Sequence, residues 1–120
     1  MSKTILIIDD DNRNTFALSA VLKVKRFNCL SAASAQEGIE LLHNTREIDV
    51  VLMDMMMPDM DGFEAIKAIK SDAAIAPVPI IAVTAQAMQG DAEKVLAGGA
   101  NAYIAKPVDV DKLLKVLSEF

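Results

Sequence analysis

Ile5-Leu6-Ile7-Ile8-Asp9-Asp10-Asp11 is an aliphatic run that stops on three carboxylates, and its reading decides the fold. Three more runs end on polar residues: Val50-Val51-Leu52-Met53 on Asp54, Ile80-Ile81-Ala82-Val83 on Thr84, and Ala102-Tyr103-Ile104-Ala105 on Lys106-Pro107. Between them the apolar spacing turns helical. Short runs rich in β-branched residues, alternating with helices, predict a parallel sheet covered on both faces. An open sheet of this kind binds ligands beyond the carboxyl ends of its strands. All four endings would then meet in one cleft, bringing together carboxylates, a hydroxyl and an ammonium.

Strands are predicted near 3–9, 28–32, 48–54, 79–84 and 101–105, and helices near 12–26, 35–45, 62–71, 87–97 and 109–119. Ser34 with Glu37, and Asp61 with Glu64, have capping-box spacing. Asp109 precedes the stripe Val110, Leu113, Leu114, Leu117 as an N-cap. Gly98-Gly99 stops the fourth helix, as a left-handed residue past a helix end does. Pro77 and Pro79 bracket the start of the fourth strand and keep the third helix from running on.

The 120 residues predict one domain spanning 1–120, large enough to fold around its own core without staples. Hydrophobic residues make up 52% and aromatic ones 4%, so that core is aliphatic and filled with methionine. Twelve basic against 17 acidic side chains give a net charge of −5, which argues against direct binding to nucleic acid through a basic surface. Cys29 is the one cysteine; it forms no internal disulfide and suits a reducing compartment as a small hydrophobe. Cys29 and His43 make no zinc spacing, and His43 reads as an ordinary residue near a helix end. With no signal peptide and no run of membrane-spanning length, the expected location is cytoplasmic, without membrane insertion.

Taken alone, Asp9-Asp10-Asp11 reads as a solvated turn in which one Asp, or Asn12, caps the next helix. Asp54 changes that reading. Asp9, Asp10 and Asp54 would place a formal −3 in one cleft, where each like-charge contact near 4 Å costs on the order of 4 kcal/mol. Lys106 offers +1, and a divalent cation would bring the sum to zero. Mg²⁺ suits such a ligand set because it is hard, takes one or two carboxylates and keeps several waters. A carboxylate can also attack phosphorus and form an acyl phosphate. That transfer asks the protein mainly for alignment and charge stabilisation, which Lys106 and the Thr84 hydroxyl would supply beside the ion.

Ile7-Ile8-Asp9-Asp10-Asp11, Leu52-Met53-Asp54-Met55-Met56-Met57-Pro58-Asp59-Met60-Asp61-Gly62, Ala82-Val83-Thr84-Ala85 and Gly99-Ala100-Asn101-Ala102-Tyr103-Ile104-Ala105-Lys106-Pro107 resemble the receiver domains of two-component response regulators. The resemblance covers essentially the whole chain, in order. It implies a flavodoxin-like, doubly wound sheet of five parallel strands in the order 2-1-3-4-5, with five helices. It implies Asp54 as phosphoacceptor, Asp9 and Asp10 as the acidic pair, and Asp10, Asp54 and the Met56 carbonyl as protein ligands of Mg²⁺, with Mn²⁺ as an alternative ion. Thr84 and Lys106 become phosphoryl contacts, and a cis bond before Pro107 would aim the lysine inward. Asp11 matches no required position and is left to cap the helix.

The implied activity is that of a switch, which catalyses its own phosphorylation and slow dephosphorylation without turning over a separate substrate. The donor would be a histidine kinase or histidine phosphotransfer protein. Thr84 would move toward the phosphoryl group and Tyr103 would fill the space left. The fourth helix, fifth strand and fifth helix would then offer a changed face to a downstream protein. Met56 and Gln86 stand where attacking water approaches, and a hydrophobic Met56 would slow loss of the phosphoryl group. In the first helix, Leu18, Val21 and Leu22 form the buried stripe, leaving Phe16 and Ala20 outward as a docking patch for the donor. Three rivals are a flavin binder, a metal-dependent phosphohydrolase and a phosphate-independent scaffold. The first lacks a phosphate-cradling loop rich in Ser, Thr and Gly, and the second lacks room for a substrate cap. The third leaves the intact chemical positions unexplained.

Overall fold

A computed structural model describes residues 3–57, 61–84 and 89–120, with side chains omitted at 89–92. The strands are β1 (Thr4–Ile8), β2 (Asn28–Ala32), β3 (Val50–Asp54), β4 (Ile80–Thr84) and β5 (Ala102–Ala105). The helices are α1 (Asn12–Val24), α2 (Ala35–Asn44), α3 (Gly62–Lys70), α4 (Gln89–Ala97) and α5 (Val110–Leu117). All strand pairs are parallel and the order is β2-β1-β3-β4-β5. This is the doubly wound flavodoxin-like architecture with five helices that the sequence predicts.

Side-chain alternation sorts the strands into two cores. Ile5, Ile7, Val50, Leu52, Ile81, Val83 and Ile104 pack with Leu18 and Leu22 of α1 and with Leu113 and Leu117 of α5. Leu6, Ile8, Val51, Met53, Ile80 and Ala82 pack with α2, α3 and α4, through Ala35, Leu42, Ala65, Ile66, Ile69 and Val95 among others. Central β3 is buried along its whole length, whereas β5 at the sheet edge is buried only at Ile104. Asp54 therefore sits at the tip of the best-protected strand.

Caps fix where the chain turns. Asp11 caps α1 by accepting from the Arg13 and Asn14 N–H groups, so the third carboxylate of the triplet serves the helix. Asp109 accepts from Asp111 and Lys112, and Asp61 accepts from Phe63. In the box at α2, Ser34 accepts from the Glu37 N–H, but the Glu37 carboxylate accepts from Ala33 rather than from the cap itself. Gly99 has φ +115, and the Ala100 N–H donates to the Val95 carbonyl, closing α4 with the left-handed turn expected of the glycine pair.

The first helix is shorter than its predicted span of 12–26. It ends at Val24, because Arg26 takes a left-handed φ of 71 and the Phe27 N–H turns back to the Leu22 carbonyl. That is the same closing turn built without glycine, and it leaves Phe27 packed against the α1 core. The other bounds differ by one or two residues, where terminal turns and strand ends lose their regular bonds. The predicted start of the fourth helix at 87 lies outside the described residues.

Candidate functional site

The register brings the site together before any side chain is considered. Ile8 pairs with Met53, so the next residues along, Asp9 and Asp54, emerge side by side. Alternation points both toward the face covered by α1 and α5. The ladders also continue past the strands. The Asp9 N–H donates to the Ala32 carbonyl at 3.0 Å, Met55 to Val83 at 3.0 Å and Lys106 to Thr84 at 2.7 Å. These bonds hold the first residues beyond β1, β3 and β5 as firmly as the strands themselves.

Asp9 and Asp54 are each only 3% exposed, while their neighbour Asp10 is exposed. Asp9, Asp10 and Asp54 each offer an oxygen, and those oxygens all lie within 4.8 Å of one another. Asp54 Oδ1 accepts the Met56 N–H at 3.0 Å and faces the Lys106 ammonium at 3.4 Å. Asp9 Oδ1 accepts the Asp11 N–H at 2.9 Å, and its Oδ2 accepts the Asn14 side-chain amide at 2.6 Å. Burial pushes the Asp54 carboxyl above its usual 3.8; the Met56 N–H pulls it back, Asp9 pushes it up and Lys106 pulls it down. The protein thus keeps three carboxylates close with one ammonium among them. Hard oxygen donors at this spacing fit a small divalent cation.

The loop after Asp54 is pressed into shape by α3. A Cβ on Gly62 would lie 2.7 Å from the Met55 Cα, so only glycine lets the helix start this close. Met55 and Met57 turn into the core while Met56 stays 70% exposed at the mouth of the cleft. The Lys106–Pro107 bond is cis. Thr84 ends β4 beside Ala105, half-buried, and Tyr103 is 39% exposed on β5. Gln86 and Ala85 lie outside the described residues.

An open groove of about 550 Å³ runs between α1 and the start of α5, with Asn14, Ala17, Val21, Lys106 and Val108 among its lining residues. Phe16, 77% exposed, and Ala20 point to solvent as expected but do not line it. His43 pairs with Asp72 at the opposite edge of the sheet, and Cys29 is half-buried with its thiol pushed up by burial. Two residues escaped the sequence reading. Asn14 touches Asp9, a link visible only once Asp11 is known to be the cap. Lys70 binds backbone carbonyls far from the cleft, and no spacing in the sequence signals it.

Known proteins are similar to this chain in sequence and fold. The polar-differentiation response regulator DivK of Brucella ovis is 31% identical over 120 residues, covering 100% of this chain and 97% of that protein. The receiver domain of a sensor histidine kinase from Pseudomonas aeruginosa, described with a magnesium ion coordinated in the active site cleft, superposes with a TM-score of 0.88. It is 32% identical, over 99% of this chain and 97% of that one. A response regulator receiver protein from Pseudomonas putida reaches a TM-score of 0.91 at 28% identity, over 100% and 98%. The family model of the response regulator receiver domain matches residues 5–118, and with the buried acidic cleft at the strand tips it assigns this chain to that family of two-component signalling proteins.

Proposed function

We propose that this chain is a phosphorylation-controlled switch of a phosphorelay, in which Asp54 takes a phosphoryl group from a phosphohistidine on a histidine kinase or phosphotransfer protein. One observation carries the reading. A carboxylate 3% exposed at the tip of the central strand meets an ammonium at 3.4 Å and two further carboxylates within 4.8 Å.

Asp9, Asp10, Asp54 and the Met56 carbonyl are the oxygen donors that would hold Mg²⁺, or Mn²⁺ in its place. When bound, the ion supplies positive charge to the carboxylates and to the phosphoryl oxygens during transfer. The protein's own residues do the rest. An Asp54 carboxylate oxygen attacks phosphorus, its O–P bond forms, and the N–P bond to the donor breaks with its electron pair leaving on the imidazole. The Met56 N–H and Lys106, both on Oδ1, leave Asp54 to attack through its other oxygen. Lys106 then turns to a phosphoryl oxygen, and the Thr84 hydroxyl donates to another. The acyl phosphate brings about −2 of charge to replace −1, so the cleft afterwards differs electrically from the cleft before.

That difference is the signal. Thr84 drawn toward the phosphoryl group and Tyr103 moving behind it would alter the face formed by α4, β5 and α5, where a downstream protein binds. Phe16 and Ala20 would meet the donor on α1. Such a protein turns over no separate substrate and works in the cytoplasm. Met56, apolar and exposed at the mouth, would keep attacking water poorly held. Met56→Asn is expected to speed phosphoryl loss, and an unchanged rate would remove that role.

The test is direct. Incubation with Mg²⁺ and a small phosphodonor should give one acid-stable, base-labile phosphoryl adduct, mapped to Asp54 by peptide mass spectrometry. No adduct would favour a flavin binder or a scaffold. Continuous release of phosphate from diverse phosphomonoesters would favour a phosphohydrolase.

A further inference from the structure

Asn14 has a polar contact that the proposed transfer does not use. It is the third residue of α1, the place where a capping box carries Glu or Gln reaching back to the N–H of the cap. Here that N–H, on Asp11, is already taken by Asp9 Oδ1 at 2.9 Å. Asp9 has replaced the box's acidic member, so a glutamate at position 14 would meet it as a second negative charge. Asn14 offers the opposite, a neutral donor, and its amide reaches Asp9 Oδ2 at 2.6 Å.

We propose that Asn14 is a positioning residue for the divalent cation, fixing the direction in which Asp9 presents its oxygens; this rests on the cation reading above. Two bonds from the first turn of α1, one to each oxygen, leave the Asp9 carboxylate no free rotation. The constraint matters because Asp9 and Asp54 leave adjacent strands as like charges, both nearly buried. An unrestrained Asp9 would turn away from Asp54 and open the cluster. Held as it is, it keeps an acceptor toward the point where the three carboxylates meet. Asp10 is exposed, so its direction is set by solvent and ion, while that of Asp9 is set by the helix. Residues that orient metal-binding groups without touching the metal commonly carry tenfold or more in affinity.

The experiment is Mn²⁺ binding, read by electron paramagnetic resonance of the free ion, with no phosphodonor present. The wild-type chain is compared with Asn14→Leu, Asn14→Ala, Asn14→Gln and Asp10→Asn. Metal-free thermal unfolding shows that each variant is folded, and Asn14→Ala serves if the leucine is not accommodated. Asn14→Leu and Asn14→Ala should bind about tenfold more weakly. Asn14→Gln, which keeps a carboxamide donor, should recover most of the loss. Wild-type affinity in Asn14→Leu and Asn14→Ala, with binding lost in Asp10→Asn, would overturn the role of Asn14 and leave the cation site standing. Asn14→Gln as weak as Asn14→Leu would overturn the donor argument. If Asp10→Asn bound Mn²⁺ as wild type does, the cation site would fall and this inference with it.

Discussion

The two edges of the sheet handle their polar groups in opposite ways. At the amino edge several such groups have partners of complementary kind. The Asp49 carboxylate accepts the Thr4 N–H at 2.8 Å, and Asn101 accepts the Ile80 N–H at 3.0 Å. The Lys70 ammonium donates to the Ala76 and Val78 carbonyls at 3.0 and 2.8 Å, and His43 meets Asp72. At the carboxyl edge, like charges face one another with one ammonium between them. The spaces nearby do not tell the edges apart. A cavity of about 560 Å³ opens beside His43 and Ile75, matching the groove of about 550 Å³ beside Lys106. Crowded like charge distinguishes the carboxyl edge, and donor–acceptor pairing distinguishes the amino one.

Asp54→Asn should have the largest effect at the carboxyl edge. It should abolish the phosphoryl adduct outright while making the metal-free protein more stable. The folded protein holds the Asp54 proton to higher pH than the unfolded chain, whose value is near 3.8. This group's contribution is therefore full below that value and declines as pH rises through the raised one. Thermal unfolding of both proteins in chelator, from about pH 4 to 7, should show the gap in favour of Asp54→Asn widening with pH. A gap that narrowed would mean that burial, with Asp9 beside it, does not disfavour the charged form of Asp54.

Metal should reverse the penalty at that edge. Saturating Mg²⁺ at about one hundred times its dissociation constant should add about 2.7 kcal/mol to wild type, seen as a raised melting temperature, and almost nothing to Asp10→Asn. The amino edge should respond in the other currency, stability without chemistry. Lys70→Met strips two carbonyls of their donor and should cost about 1–3 kcal/mol in urea unfolding, with the rate of adduct formation unchanged. The smallest effect is expected away from both edges. Arg26→Gly relieves a left-handed φ on a residue that carries a Cβ and should stabilise by under about 1 kcal/mol, offset in part by glycine's greater freedom when unfolded.

β1, β3, β4 and β5 are legible because each carries β-branched residues up to an abrupt polar stop, whereas β2, Asn-Cys-Leu-Ser-Ala, has neither; alternation with helices makes the sheet parallel, and the family resemblance supplies its order. The carboxylates of the site were legible for the same reason: Asp9, Asp10 and Asp54 are where the aliphatic runs end. What escaped were contacts between residues whose partner is decided by capping or by a turn. Asn14 becomes a partner of Asp9 only because Asp11, not Asn12, caps α1. The end of α1 is hidden from the sequence because Arg26 adopts a conformation that its Cβ disfavours, and no glycine marks the stop. Lys70 reaches carbonyls of a loop whose path local propensity does not determine.

A strand buried at every residue and bonded on both sides, as β3 is, cannot shift to relieve a charge placed at its tip. The outermost strand on that side, β5, is covered only at Ile104 and leaves Tyr103 open to water. Under the proposed transfer, a disturbance made at the stiff centre would pass outward to the rim, whose strand is the less buried of the two.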